Sequence, residues 1–172
     1  QVMTPLNIQK HLTHLSLYHV SLKRVDALTN CKKLMSLTID SPSERYNILD
    51  SVIRQLKTVF EKCEKISILQ LKDFNGHFHY FFDDIMSAIP FALTTISLVH
   101  IEMTDTTLKH IGERCHLLEK ITLSNNDEIT EIGIDYIAMG CQKLVYAKIT
   151  NCFDIDDPSA FVNLIYRTKN SY

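Results

Sequence analysis

The chain has 172 residues, of which 45% are hydrophobic, and its 18 basic and 20 acidic residues give a formal net charge of −2. This length and composition allow one domain with a substantial core, and four glycines and four prolines mark no linker, so we expect a single domain over residues 1–172. No apolar run approaches the roughly 18 residues of a membrane span, and no basic stripe alternates with aromatics. The composition therefore argues against membrane and nucleic-acid partners.

Six short segments of alternating apolar and polar residues are predicted to be β-strands, because successive side chains on a strand point to opposite faces. Each follows an apolar residue at an equivalent position, namely Leu12, Leu34, Ile66, Leu93, Leu118 and Leu144. Their steps lie near the period of 20 to 29 residues seen in one class of solenoid, apart from the longer step from Leu34 to Ile66, which needs an insertion. Stacked copies would pair their strands in parallel and bury one continuous core.

Helices are predicted between these strands, where the apolar period lengthens to about 3.6. The segment Ser41-Pro42-Ser43-Glu44 has the pattern of a capping box with proline at the first helical position, and it predicts a helix running to Cys63. Asp83 is predicted to begin a second helix that Pro90 ends. Three more helices are expected to begin at Thr104 or Asp105, at Thr130, and at Asp157 before Pro158.

A phrase of the form Cys-x-x-Leu-x-x-apolar-x-apolar occurs at Cys115 and again 26 residues later at Cys141. Looser copies place Cys31 and Cys63 at the same repeat position, which favours core packing over chemistry because free cysteine behaves as a small hydrophobe. A Cys115–Cys141 disulfide and a thiol-dependent enzyme using Cys115 or Cys152 are the alternatives. No C-x-x-C pair of the zinc type is present, and no metal site is predicted from the cysteines.

The blocks from Thr104 to Cys115 and from Thr130 to Leu144 resemble the cysteine-containing leucine-rich repeat. This subtype is best known from F-box/leucine-rich-repeat proteins, the substrate receptors of cullin-based ubiquitin ligases. The resemblance is specific over residues 104–152 and covers only the strand frame over 12–101. It implies a right-handed α/β solenoid of about six repeats, with a curved parallel sheet on the concave side and helices on the convex side. It also implies an intracellular location, cytoplasmic or nuclear, and reduced cysteines.

Catalytic signatures are not found in the sequence. It contains no glycine-rich phosphate loop, no G-x-S-x-G elbow and no H-E-x-x-H motif, so we expect no enzyme activity and no cofactor. The segment from His77 to Phe82 concentrates histidines and aromatics, but a metal site there would need Asp83 and Asp84 as further ligands. Its aromatics are expected to pack under a repeat, and a partner-binding aromatic knob is the alternative.

The site is expected on the strand side chains that alternate with the buried apolar residues, since solenoids bind through their concave surfaces. The candidate contacts on this face are Tyr18, Asp40, Ile68, Gln70, Lys72, Val99, Lys120, Tyr146 and Lys148. Three of them, Lys72, Lys120 and Lys148, are predicted to form a basic line.

The leading hypothesis is a non-catalytic protein-interaction module. In its finer form it is the substrate-recognition region of an F-box-type ubiquitin-ligase receptor, with the Skp adaptor and cullin bound through a region outside this chain. Because the chain begins at Gln1 and enters its first repeat almost at once, we expect it to be a fragment of a longer protein. The alternatives are an adaptor or assembly factor with one fixed protein partner, and a sensor of a small anionic ligand that the three lysines would hold.

Overall fold

In the described part of the chain, six strands form one parallel sheet whose spatial order follows the sequence. The structure, a computed structural model, describes residues 9–42, 49–74 and 79–152. The strands are β1 (His14–Tyr18), β2 (Ser36–Asp40), β3 (Ile68–Phe74), β4 (Thr95–Ile101), β5 (Lys120–Ser124) and β6 (Tyr146–Thr150). Each pairs only with its sequence neighbours, as the stacking of repeats requires.

Helical segments connect consecutive strands and pack on one face of the sheet. A 3-10 helix (Val25–Asn30) lies between β1 and β2. The α-helices are α1 (Leu49–Lys62), α2 (His79–Met86), α3 (Asp105–Arg114) and α4 (Glu131–Gly140). Their apolar side chains join the inward-facing side chains of the strands in one hydrophobic core. This alternation of parallel strands and returning helices confirms the predicted solenoid with six repeats.

The strand alignment predicted from the sequence matches the observed register at every pair. Leu37, Leu69, Ile96 and Ile121 occupy one row across β2 to β5, and each is at most 1% exposed. The insertion in the step from Leu34 to Ile66 lies in the connection that contains α1, whose 14 residues make it the longest described helix. The extra length is therefore taken up between the strands, and the pairing of β2 with β3 is undisturbed.

The predicted helix starts at Thr104 and Thr130 are confirmed, and in both the threonine hydroxyl caps the first turn. Thr104 accepts a hydrogen bond from the backbone of Thr106, and Thr130 accepts one from Ile132. These bonds satisfy donors that the first turn of a helix leaves unpaired. The predicted start at Asp157 lies outside the described residues, and so do Ser43 and Glu44 of the predicted capping box. Ser41 and Pro42 follow β2 without helical structure, and the Ser41 hydroxyl contacts carboxylates instead of a helix N-terminus, so the prediction of a helix with Pro42 in its first position is wrong.

The prediction that Asp83 begins a helix is wrong. Helix α2 already begins at His79, and Asp83 lies within it. Its carboxylate instead accepts hydrogen bonds from the start of the next helix: Oδ1 from the Thr107 backbone at 3.1 Å, and Oδ2 from the Thr104 hydroxyl at 2.5 Å. Asp105 holds Thr130 in the same way, with Oδ1 2.8 Å from the Thr130 nitrogen and Oδ2 2.7 Å from its hydroxyl. In these two repeats, one carboxylate thus ties a helix to the start of its successor.

The four equivalent cysteines pack in the core, as the repeat position predicts. Cys31, Cys63, Cys115 and Cys141 directly follow the 3-10 helix, α1, α3 and α4, and they are fully buried and unbridged. Weak hydrogen bonds from sulfur link neighbouring repeats, with Cys63 Sγ 3.2 Å from the Leu28 carbonyl oxygen and Cys115 Sγ 3.7 Å from that of Pro90. A small side chain fits here because the helix must close against the next strand. Among the described helices, none has the length and apolar character to cross a membrane.

Candidate functional site

The face of the sheet opposite the helices, called the concave face below, consists of three rows of side chains in strand register. The first row runs His14, Ser36, Ile68, Thr95, Lys120, Tyr146; the second runs Ser16, Thr38, Gln70, Ser97, Thr122, Lys148; the third runs Tyr18, Asp40, Lys72, Val99, Ser124, Thr150. All nine residues predicted as partner contacts lie on these rows, so the structure brings them onto one surface.

The exposed aromatic side chains of the concave face lie toward its two ends. Tyr18 on β1 is 56% exposed and Tyr146 on β6 is 48% exposed. Half of the concave-face residues on β2 to β5 are serine or threonine, several of them half-buried, and Thr38 donates a hydrogen bond to the Gln70 amide oxygen at 3.3 Å. The face is therefore a shallow polar surface with an aromatic at either end.

A network of charged groups joins β2, β3 and β4 at the carboxyl ends of the strands. Lys72 Nζ lies 3.4 Å from Asp40 Oδ2 and 3.5 Å from Asp73 Oδ2. The Ser41 hydroxyl contacts both carboxylates, at 2.7 Å to Asp40 and 3.2 Å to Asp73, and His100 Nδ1 lies 2.9 Å from Asp73 Oδ1. These groups neutralise and orient one another, and they connect β2, β3 and β4 at the carboxyl ends of the strands.

The contacts within this network shift the pKa values of two members in opposite directions. Hydrogen bonding to Asp40, together with the charges of Asp40 and Asp73, raises the pKa of Lys72. Partial burial opposes ionisation of Asp73, yet the hydrogen bond from His100, the Lys72 charge and the Ser41 hydroxyl together lower its pKa. Both shifts favour the charged forms, as expected for opposite charges within about 4–6 Å.

The predicted basic line does not form as a continuous feature. Lys120, Lys148 and Lys72 lie in the first, second and third rows respectively, and β4 separates Lys72 from the other two. Lys72 is also engaged with two carboxylates. Lys120 and Lys148 are exposed on neighbouring strands and form no ion pair within residues 9–42, 49–74 and 79–152. The free positive charge of the face is therefore confined to β5 and β6.

A fourth row, one residue beyond the third, has left-handed backbone conformation in every repeat. The residues are His19, Ser41, Asp73, His100, Asn125 and Asn151, with φ between 51° and 56°. Three of these residues donate a backbone hydrogen bond to the third-row residue of the next strand. The donors are the N–H groups of His19, Ser41 and Asn125, and the acceptors are the carbonyl oxygens of Asp40, Lys72 and Thr150 respectively. Sequence reasoning missed this row, although the signal was present: asparagine, aspartate and histidine tolerate this conformation better than most residues.

One residue beyond this row, Asn126 is fully buried and bonded to the preceding strand. Its amide oxygen accepts from the Ile101 backbone at 3.1 Å, and its amide nitrogen donates to the Leu98 carbonyl at 3.2 Å. Cys152 replaces it in the last repeat, where its sulfur lies 3.6 Å from the Thr150 carbonyl oxygen. The amide therefore ties β4 to the turn after β5, and the thiol makes a weaker local contact.

The thiols are poorly suited to nucleophilic chemistry. Burial, with a smaller effect of Cys31, raises the pKa of Cys63 to about 11, and burial with the neighbouring Cys141 raises that of Cys115 to about 12. Burial also raises the pKa of Cys152. The nucleophilic form is the thiolate, and reactive cysteines have lowered pKa values and accessible sulfurs. The geometry therefore disfavours the thiol-enzyme alternative.

The aromatic segment after β3 is only partly described. His77 and Phe78 lie outside the described residues, but Phe82 is fully buried and meets the Phe74 ring edge-on, with centroids 5.9 Å apart. Asp83 holds α3, and Asp84 Oδ1 lies 2.8 Å from Lys57 Nζ, so both proposed metal ligands have other contacts. Within the described part of the chain, no group of three metal-ligating side chains comes together. Phe82 thus fits the packing interpretation.

Comparisons with solved structures assign the fold. An internalin from Listeria monocytogenes aligns with a TM-score of 0.54 at 15% sequence identity, covering 94% of this chain. The fold is a leucine-rich-repeat solenoid. This solenoid spans 48% of the internalin chain, about half of its length. The tropomodulin C-terminal domain from Caenorhabditis elegans aligns over 95% of this chain and 89% of its own, with 12% identity and a TM-score of 0.49. No protein-family model and no curated protein matches the sequence.

Proposed function

We propose that this leucine-rich-repeat chain is a non-catalytic module that binds a protein partner across the concave face. The observation that carries the proposal is the alignment of three solvent-facing rows, with Tyr18 and Tyr146 exposed at opposite ends. Their separation over six strands spaced about 4.8 Å apart suits an extended protein surface better than a small ligand. Exposed tyrosines are also frequent energetic anchors of protein interfaces.

The rest of the concave face has the properties of a preorganised binding surface. The strand residues that alternate with the three rows and face the core, such as Leu69 and Leu98, are almost completely buried. The core therefore holds the backbone of the strands that carry the three rows. Short hydroxyl side chains lose little conformational entropy when a partner covers them. The face therefore offers contacts over a wide area without first having to fold.

Two finer hypotheses concern the biological role of such a module. The resemblance of residues 104–152 to the cysteine-containing repeat supports a substrate-recognition region of an F-box-type ubiquitin-ligase receptor, with an intracellular location. An adaptor or assembly factor with one fixed partner is the alternative. Purification of the full-length protein that contains this chain separates them, because only the receptor is expected to co-purify with a Skp adaptor and a cullin.

A sensor of a small anionic ligand fits the geometry poorly. It required Lys72, Lys120 and Lys148 to converge, whereas they lie in three different rows and Lys72 is paired with Asp40 and Asp73. Inorganic phosphate or citrate is therefore not expected to raise the melting temperature of the protein.

The binding face can be tested by site-specific photocrosslinking. A benzoylphenylalanine at Gln70, in the second row, is expected to crosslink a protein partner in cells, whereas one at Asp135, exposed on α4, is not. Tyr18→Ala with Tyr146→Ala should reduce crosslinking from Gln70. The matched control is Phe91→Ala, which removes an aromatic that is 55% exposed outside the three rows. Equal or stronger crosslinking from Asp135 would contradict the proposal.

A further inference from the structure

The charged groups of the concave face are distributed unevenly. In the three rows of β1 to β4, the formal charges are Asp40 and Lys72, which pair with each other. The rows of β5 and β6 contain Lys120 and Lys148 and no acidic residue. Because neither lysine forms an ion pair in the part of the chain that the structure describes, this end of the face carries two uncompensated positive charges.

The register places Tyr146 beside both lysines. Tyr146 pairs with Lys120 across the two strands, and Lys148 follows it on the same face of β6, next to Thr122. Strand spacing of about 4.8 Å and a rise of about 3.3 Å per residue put the backbone positions of the two lysines about 8 Å apart. Alternate side chains of an extended peptide lie on one side at a separation of about 7 Å. The separation of the two lysines and that of alternate side chains on the peptide therefore differ by about 1 Å, which a lysine side chain can span.

We propose that the β5–β6 end of the concave face recognises an extended acidic segment of the protein partner, with carboxylates at alternate positions meeting Lys120 and Lys148 over Tyr146. The inference rests on the proposed function, since it names the chemistry of the partner bound at the same face. An acidic segment is favoured because it would compensate both charges, and the tyrosine ring would cover the apolar part of a glutamate side chain. The paired charges on β2 and β3 leave no comparable site at the other end.

The direct probe is a fluorescein-labelled peptide in which glutamate alternates with serine, compared with the same peptide carrying glutamine for glutamate. Fluorescence anisotropy with the full 172-residue chain is expected to show binding of the glutamate peptide that weakens with added salt. Lys120→Glu with Lys148→Glu should weaken this binding by about tenfold or more, since two exposed ion pairs are replaced by repulsions. The matched control is Lys33→Glu with Lys65→Glu, which makes the same change in net charge at exposed positions outside the rows.

Equal weakening by both double variants, equal binding of the glutamine peptide, or no binding of the glutamate peptide would each overturn the inference. Lys120→Met with Lys148→Met, checked by circular dichroism, separates loss of charge from loss of folding. Crosslinking from Gln70 tests the proposed protein-binding function separately from the acidic-segment inference. If Gln70 captures a partner and charge reversal at Lys120 and Lys148 leaves the yield unchanged, the acidic-segment inference fails and the proposed function stands. If Gln70 captures no protein, the proposed function fails as well.

Discussion

At the scale of single residues, the cysteines show how repeat position controls chemical behaviour. Cys31, Cys63, Cys115 and Cys141 are completely buried, whereas Cys152 is partly exposed. During treatment of the native protein with iodoacetamide at pH 8, we expect Cys152 to be modified first and the other four to react only through unfolding. Peptide mass spectrometry over time measures this order. Rapid modification of Cys115 in the folded protein would contradict the packing assignment.

The thiols also link stability to alkaline pH. Burial raises the pKa of Cys115 to about 12 in the folded chain, above its ordinary value of about 8.5 in the unfolded chain. A folded-state pKa above the unfolded one means that the contribution to stability is complete below about pH 8.5 and is lost as the pH rises toward 12. The buried thiols of Cys63 and Cys115 therefore stay protonated at neutral pH.

The Asn126 side chain joins the turn after β5 to β4 through two buried hydrogen bonds. We expect Asn126→Ala to lower the free energy of unfolding by about 2–4 kcal/mol, because the buried Ile101 N–H and Leu98 carbonyl lose their partners. Urea denaturation measures the change. As a control, Asn125→Gly keeps a residue tolerant of positive φ and removes one exposed hydrogen bond to Asn151, so its effect should stay below about 1 kcal/mol. Equal effects of the two substitutions would refute the assignment.

Residue identities predicted the concave face more fully than they predicted its charge. Alternation alone placed Tyr18, Gln70 and Tyr146 on the outward rows, because strand geometry determines which side a residue faces. Whether a charge on that face is free depends on a neighbour from another repeat. Lys72 is paired since Asp40 lies opposite it on β2, a contact between residues 32 positions apart in sequence. Local patterns do not contain that information.

At the scale of helices, the carboxylate of one helix accepts hydrogen bonds from the start of the next helix, which the sequence did not predict. Asp83 and Asp84 are sequence neighbours on α2, but Asp83 receives hydrogen bonds from Thr104 and Thr107, and Asp84 makes an exposed ion pair with Lys57. We expect Asp83→Ala to cost about 2–4 kcal/mol, since the first turn of α3 loses its acceptor and the buried Thr107 hydroxyl loses its partner. Asp84→Ala should cost less than about 1 kcal/mol. Thermal denaturation of the two variants compares them directly, and a larger effect at Asp84 would be incompatible with this arrangement.

The failed prediction at Asp83 has a physical cause. A carboxylate that caps its own helix and one that caps the next helix have the same local sequence signature, and the choice between them depends on how closely two repeats stack. Thr104 and Thr130 were predictable because a hydroxyl cap acts within its own first turn. The hydroxyl caps of α3 and α4 were thus accessible from sequence, and the carboxylate contact between α2 and α3 was not.

Three strands are coupled through Asp73, and this coupling should appear as a dependence of stability on pH. Its folded-state pKa is lowered, so its contribution to stability is present above about pH 4, the ordinary range of an aspartate, and is lost as the pH falls toward the lower folded value. The melting temperature of the unmodified chain minus that of Asp73→Asn is expected to be positive at pH 5. It should shrink below about pH 4. Differential scanning fluorimetry across this range measures it, and a difference that grows on acidification would show the opposite sign.

At the scale of the whole molecule, burial varies along the solenoid. Inward-facing residues of β2 to β5 are almost completely buried, whereas Leu15 and Leu17 of β1 and Ala147 and Ile149 of β6 are only partly buried. Each repeat shares its core contacts with its neighbours, and within the described residues β1 and β6 each pair with one strand only. Within the described residues, the strands in the middle of the sheet are thus more completely buried than β1 and β6, which carry Tyr18 and Tyr146.

This gradient predicts how the same substitution should act at different positions. Leu98 on β4 is fully buried, and Leu98→Ala should lower the free energy of unfolding by about 3–5 kcal/mol through lost burial and an added cavity. Leu15→Ala removes the same atoms from a partly exposed site that lines only one repeat boundary, so a cost nearer 1–2 kcal/mol is expected, roughly in proportion to the smaller buried area. Urea denaturation gives both values, and hydrogen exchange should show that Leu15→Ala weakens protection mainly in β1 and β2. If both variants lose equal stability and protection falls across all six strands, the repeats act as one cooperative unit and the gradient has no energetic consequence.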